Sequence, residues 1–192
     1  VGYNKNGNAG SVHDYFLAQS YGQLDVTFDV VGPVTLSKNM ASYGGNDSNG
    51  DDKNPAGMVY EAIKLAKQQN PSLNFKNYDW NNDGEVDQVY LIYAGYGESS
   101  DEDGSLANTI WPHEWQLSAA NYKLSYDGVT IDTYGCSPEL LGNESYPVQM
   151  DGIGTACHEF SHCLGLPDLY DTSGSSNSAF GMDAWSLMDY GC

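Results

Sequence analysis

Residues 158–171 read HEFSHCLGLPDLYD, with two histidines four positions apart and a glutamate beside the first. On a helix, that spacing puts both imidazoles on one face, about 6 Å apart along the axis. Both can then reach one cation at about 2.0–2.1 Å. Glu159 lies at the edge of that face, too far round to be a good third ligand. It is placed to take a proton from an attacking water, as metal-assisted peptide hydrolysis requires. A bare H-E-x-x-H can arise by chance on a helix surface, so the third ligand decides the matter.

Between Cys163 and Cys192 there is no glutamate and no histidine, which rules out a downstream glutamate ligand. The carboxylates there are Asp168, Asp171, Asp183 and Asp189. The remaining arrangement is H-E-x-x-H-x-x-G-x-x-[H/D], in which a glycine turns the chain sharply and returns a polar side chain to the metal. Gly165 and Asp168 stand at those two positions, with Asp171 as the fallback. A helix C-cap at Gly165 is compatible with this reading, because the cap delivers the ligand. Further on, SLMDY (186–190) fits the methionine turn of metzincins, with Met188 beneath the metal. Tyr190 is then a candidate for stabilising the oxyanion. Taken alone, Met188 would read as core filler.

These residues need a scaffold. On a helix over 153–164, Ile153, Ala156, Cys157, Phe160 and Leu164 form an apolar back, and Thr155, His158, Glu159 and His162 a polar front. Ser11 caps a helix over 11–22, and Pro55 opens another that ends at Asn70-Pro71. The alternation Leu24, Val26, Phe28, Val30 predicts a strand ending near Gly32-Pro33. The β-branched and aromatic stretch 86–97 predicts a central or cleft-lining strand. The segment 99–150 reads as irregular, with short strand candidates in 122–135. His113, in IWPHEW, is expected on the cleft wall with no assigned role.

A second oxygen-rich stretch, DWNNDGEVD (79–87), has the ligand spacing of a calcium loop. Asp79, Asn81, Asp83 and Asp87 would offer side chains and Glu85 its backbone carbonyl, with Gly84 making the sharp turn. Position 12 is Tyr90 and a strand follows, so an EF-hand is the wrong pattern; a solvated Asn/Asp turn is the alternative.

Composition sets the outer bounds. The chain has 192 residues, 26 acidic against 7 basic, and a formal charge of −19. That excludes a phosphate-binding basic patch, and with it nucleic acid. It also disfavours anionic membranes. No apolar run approaches the roughly 18 residues of a spanning helix, so membrane insertion is not expected. The start of the chain lacks a charged, apolar leader, so it reads as a mature or excised domain of an extracellular or cell-surface protein. Cys157 and Cys163, about 9 Å apart along the helix axis, cannot pair with each other. Two disulfide schemes remain: 136–157 with 163–192, or 136–163 with 157–192. Free thiols are the third option.

The stretches HEFSHCLGLPDLYD, SLMDYG, SVHDYFLAQSYGQLDV, DWNNDGEVDQVYLIYAGYGES and IWPHEW together resemble the catalytic domain of the immune inhibitor A family of secreted bacterial metalloproteases. The resemblance implies an α/β (α+β) zincin, metzincin-like fold: a twisted mixed sheet, two main helices and a zinc helix across the cleft. It implies a zinc endopeptidase acting on proteins or peptides, with ligands His158, His162 and Asp168 and general base Glu159. Ser161 departs from the glycine common between the histidines. The whole of 1–192 is expected to be one catalytic domain, with an upper lobe about 1–165 and a truncated lower lobe about 166–192. Alternatives are a calcium-stabilised surface module with a vestigial zinc site, or a zinc hydrolase of a non-peptide bond. Oligomeric state and cleavage preference are not legible.

Overall fold

Along one strand, Thr133–Leu141, Tyr134 and Cys136 enter the larger hydrophobic core while Gly135 between them faces Tyr90 and Cys163, and this division organises the molecule. The computed structural model describes residues 10–101, 103–173 and 181–191. In chain order the main elements are α1 (Val12–Gln19), α2 (Pro55–Gln69), β1 (Tyr90–Tyr96), β2 (His113–Gln116), β3 (Leu124–Tyr126), β4 (Val129–Ile131), β5 (Thr133–Leu141), β6 (Gln149–Met150) and α3 (Gly154–Cys163). The fold is mixed α+β. β5 is the central strand of a four-stranded mixed sheet: β1 lies parallel on one side, and β2 and β6 pair antiparallel with it. β3 and β4 form a separate hairpin.

Each helix has a local cause. Ser11 and Asp14 form a capping box at α1, satisfying N–H groups the first turn leaves free. Asn54 caps α2 by accepting from Gly57 N–H, and Pro55 occupies the first turn, where a missing N–H costs nothing. α2 buries Met58, Val59, Ala62 and Ile63; burying each of Met58, Val59 and Ile63 contributes about 1.5–3 kcal/mol.

The larger core joins α2 to one face of the sheet, through Tyr93, Tyr134, Cys136 and the β3–β4 hairpin residues Leu124, Val129 and Ile131. The smaller core lies on the other face, where Phe16 of α1 and Val26 pack against Cys157 and Phe160 of α3, with Tyr90 beside them. Gln88, just before β1, donates to the Cys163 carbonyl at 3.1 Å and so ties the end of α3 to the sheet.

Four expectations change. The stretch around Leu24–Val30 forms no strand and joins no ladder. Leu24, Val26 and Phe28 do face the smaller core, yet Val30 is 92% exposed, so the alternation records one-sided packing without a pairing partner. The strand expected at 86–97 is shorter, because Val86 N–H is bonded to the Thr130 carbonyl (2.8 Å), which holds this approach against the hairpin. Within 99–150 the order exceeds expectation, since β2, β5 and β6 supply three of the four strands of the sheet there.

The fourth change concerns the cysteines: Cys136, Cys157 and Cys163 are free. Cys136 belongs to the larger core and Cys157 to the smaller. Gly135, the neighbour of Cys136, is the residue that faces Cys163. Because adjacent strand residues point to opposite faces, the sheet itself separates Cys136 from both of its expected partners. Cys192, the other half of each scheme, lies outside the described residues.

Candidate metal centre

α3 presents His158 and His162 with their Nε2 atoms 3.1 Å apart. Each Nδ1 meets a backbone carbonyl at 2.7 Å, Leu187 for His158 and Leu166 for His162. A carbonyl can only accept, so both Nδ1 atoms carry the proton and both Nε2 lone pairs point inward. This is how an outer partner sets the tautomer of a ligating histidine.

The chain turn that follows is a Schellman motif. Gly165 N–H bonds the His162 carbonyl at 2.8 Å, and Leu166 N–H bonds the Ser161 carbonyl at 3.1 Å. Gly165 has φ +88°, a conformation that costs an L-residue energy and glycine nothing. Two consequences follow from one turn. It aims the Leu166 carbonyl at His162, and it brings Asp168 back over the helix.

Asp168 Oδ1 lies 3.3 Å from His158 Nε2 and 3.2 Å from His162 Nε2. It is buried and accepts no hydrogen bond. Three donor atoms thus form a nearly equilateral triangle with edges of 3.1–3.3 Å. A tetrahedral site with bonds of about 2.0–2.1 Å has an edge of about 3.3 Å, so this triangle fits a zinc-sized cation. Glu159 offers an oxygen in the same group, with its ligand atom within 4.8 Å of those of both histidines. Burial, then the negative charges of Asp168 and Glu114, push the Glu159 carboxyl up to about 8. Ser161 is buried, and its hydroxyl donates to the Cys157 carbonyl at 2.7 Å, so a serine between the histidines leaves no unmet polar group.

The polar front of α3 is more enclosed than its pattern implies: His158 and Glu159 are buried, while Ile153 and Leu164 at the ends of the apolar back are partly exposed. Met188 is buried, and its carbonyl accepts from Leu169 N–H at 2.7 Å. The turn around it therefore grips both the loop bearing Asp168 and, through Leu187, the ring of His158. Tyr190 is 75% exposed, with its ring 6.0 Å from that of Tyr170. Burial and the Asp168 charge push the Tyr170 phenol up to about 12. Asp171 follows in the same loop but is absent from the triangle.

His113 does not line this face. It sits opposite Cys136 in register and contacts the Trp111 carbonyl (2.7 Å) and the Tyr134 hydroxyl (3.0 Å), on the side of the larger core. Its neighbour Glu114 pairs with Gly135 and takes the face that carries α3. Glu114 escaped the sequence reading because the strand itself did: HEWQ has no apolar alternation to mark it.

The loop 79–87 folds around Asp79. Its side chain is fully enclosed, and Oδ2 takes Lys76 Nζ and Gly84 N–H, both at 3.3 Å. Its Oδ1 is buried without a partner. Asn81 and Asp83 bond to each other, and Asp87 accepts from Trp80 N–H at 2.6 Å. Gly84 has φ +91°. These carboxylates and amides share one loop, but hydrogen bonds within the loop already occupy several of the expected ligand atoms.

The family described as immune inhibitor A peptidase M6, catalytic domain, matches residues 2–192. The chain is 28% identical over 192 residues to Immune inhibitor A of Bacillus thuringiensis subsp. alesti, a stretch covering 92% of this chain and 28% of that protein. It is also 28% identical over 198 residues to the pre-pro-metalloprotease PrtV of Vibrio cholerae, covering 94% of this chain and 21% of that protein. The chain thus spans under a third of the length of these relatives. Among the described residues, no helix is long and apolar enough to cross a membrane.

Proposed function

This chain belongs to the immune inhibitor A peptidase M6 family, and on that premise we propose that it is the catalytic domain of a zinc-dependent endopeptidase. The observation that carries the reading is the triangle of His158 Nε2, His162 Nε2 and Asp168 Oδ1, whose carboxylate oxygen is enclosed and otherwise unpartnered. A polar atom in that position costs free energy unless something binds it. Two neutral imidazoles and one carboxylate suit zinc in a catalytic site that keeps a position open. A bound divalent metal would supply Lewis acidity toward the scissile carbonyl and toward water.

The protein's own residues divide the remaining work. His158 and His162 present fixed lone pairs because Leu187 and Leu166 hold their Nδ1 protons. Glu159 accepts the proton of the attacking water and delivers it to the leaving amine. We assign Tyr190 to the developing oxyanion and Met188 to the floor of the site. With Gly165 and Asp168 they make the site metzincin-like. Residues 1–192 form one catalytic domain acting on protein or peptide substrates. The domain works outside the cell, in keeping with its net charge of −19 and the family's peptidase character.

A second cation, calcium, is proposed for loop 79–87, held by Asp79, Asn81, Asp83, Asp87 and the Glu85 carbonyl. The enclosed, unpartnered Asp79 Oδ1 favours it.

The deciding experiment measures bound zinc and casein cleavage for the wild type and Glu159→Ala. Equal zinc with activity in the wild type alone supports the assignment. Cleavage that survives the substitution removes Glu159 as the base.

A further inference from the structure

Glu114 stands on β2, an edge strand that pairs with β5 alone among the described residues. Its register partner Gly135 is overlain by α3: a β-carbon built on that glycine would lie 3.4 Å from Cys163 Sγ. Side chains directly opposite each other in an antiparallel pair share a face, so Glu114 projects toward the metal helix while His113 projects away. Consistent with this, the Glu114 carboxylate lies within electrostatic range of His162, Glu159 and Cys163.

Among the described residues, no lysine makes a salt bridge to this carboxylate. Glu114 is half-buried, and the salt bridges formed among these residues engage other carboxylates. The sequence offers little to neutralise it: all seven basic residues are lysines, and the last is Lys123. The 69 residues that follow, which contain α3, Gly165, Asp168 and Met188, have no lysine or arginine. A half-desolvated carboxylate on an open strand edge beside a reaction centre is built to receive a positive charge from outside.

We propose that Glu114 is a specificity-determining residue that pairs with a cationic group of the substrate, either a lysine or arginine side chain close to the scissile bond or the free amino terminus of a peptide. The inference rests on the peptidase reading above. It differs from a merely electrostatic role through Glu159, since such a role would slow every substrate alike.

The test uses the full chain loaded with zinc. Quenched fluorescent peptides carry a single Lys, Arg, Gln or Glu at successive positions around the bond, each with a free or an acetylated amino terminus. Wild type, Glu114→Gln and Glu114→Lys are compared by kcat/KM. The wild type should favour a cationic peptide by at least tenfold at one position. Taken as ratios to the neutral acetylated peptide, so that any shared effect through Glu159 cancels, that preference should vanish in Glu114→Gln and turn toward Glu-containing peptides in Glu114→Lys. If acetylation alone abolishes the preference, the cation is the terminal ammonium; if it has no effect, the cation is a side chain. A preference ratio that persists in Glu114→Gln, whether or not all rates fall together, overturns the proposal and leaves the peptidase reading intact. A zinc-loaded wild type that cleaves no peptide overturns both.

Discussion

His162 donates its Nδ1 proton to the carbonyl of Leu166, four residues ahead, at 2.7 Å. That carbonyl is in place because the backbone turns left-handed at Gly165 (φ +88°). The end of a helix and the orientation of a candidate ligand are therefore one structural event. Gly165→Ala should expose this coupling. No atom lies within 4 Å of a β-carbon there, so the cost is conformational, about 1–2 kcal/mol. Chemical denaturation should show that loss, and zinc affinity should fall with it because Leu166 and Asp168 both shift. Unchanged zinc affinity would separate the turn from the site.

Asp168→Ala removes one corner of the triangle. Loss of an outer partner alone typically lowers metal affinity about 10–100-fold, so loss of the ligand itself should cost at least about 100-fold. Competition with a zinc chelator measures this. Full affinity in the variant would exclude Asp168 as a ligand and turn attention to Asp171.

Glu159→Gln should keep zinc and lower kcat by about 10²–10⁴, the usual contribution of a positioned proton carrier. With glutamine the side chain stays polar and similar in size, so the fold is preserved. Metal content and kcat measured on the same sample decide the point.

His13 joins α1 to the segment that follows it, with Nε2 2.8 Å from Asp25 Oδ1. Hydrogen bonds donated to the carboxylates of Asp25 and then Asp14 raise its pKa above 6.5. A raised histidine pKa contributes stability that is fully present below the unfolded value and lost as pH rises through the folded one. His13→Gln should therefore lower Tm relative to wild type at pH 5.5 and much less at pH 8.5. Equal differences at the two pH values would remove the charged form from the account.

The three described cysteines should behave as enclosed thiols. Burial pushes Cys157 and Cys163 up to about 12 and raises Cys136 further. Thiolate is the reactive form, so labelling in the native state should be slow and should become complete on unfolding without a reductant. A linkage between Cys136 and either Cys157 or Cys163 in unreduced digests would contradict the sheet's separation of the two cores.

The residues of the candidate metal centre could be grouped from the sequence because their relations are local. The spacing of His158 and His162, Gly165 three further on and Asp168 three beyond that lie within eleven residues, where helix geometry and one glycine turn dictate who meets whom. The same holds for the caps at Ser11 and Asn54. Relations across long separations were not legible. Leu187 bonds His158 across 29 positions, and no local pattern marks a backbone carbonyl as the holder of a tautomer. The segment at Leu24–Val30 has the alternation of a strand, but a ladder needs a partner and tertiary packing supplied none. Glu114 and His113 are neighbours in the chain, yet the pleat of β2 sends one to the metal helix and the other to the opposite core. Chain chemistry determined which side chains can bind a metal and at what spacing. Only the folded sheet decided which cysteines are kept apart, which histidine is excluded from the site and which glutamate is admitted, because a side chain's face depends on register with strands distant in sequence.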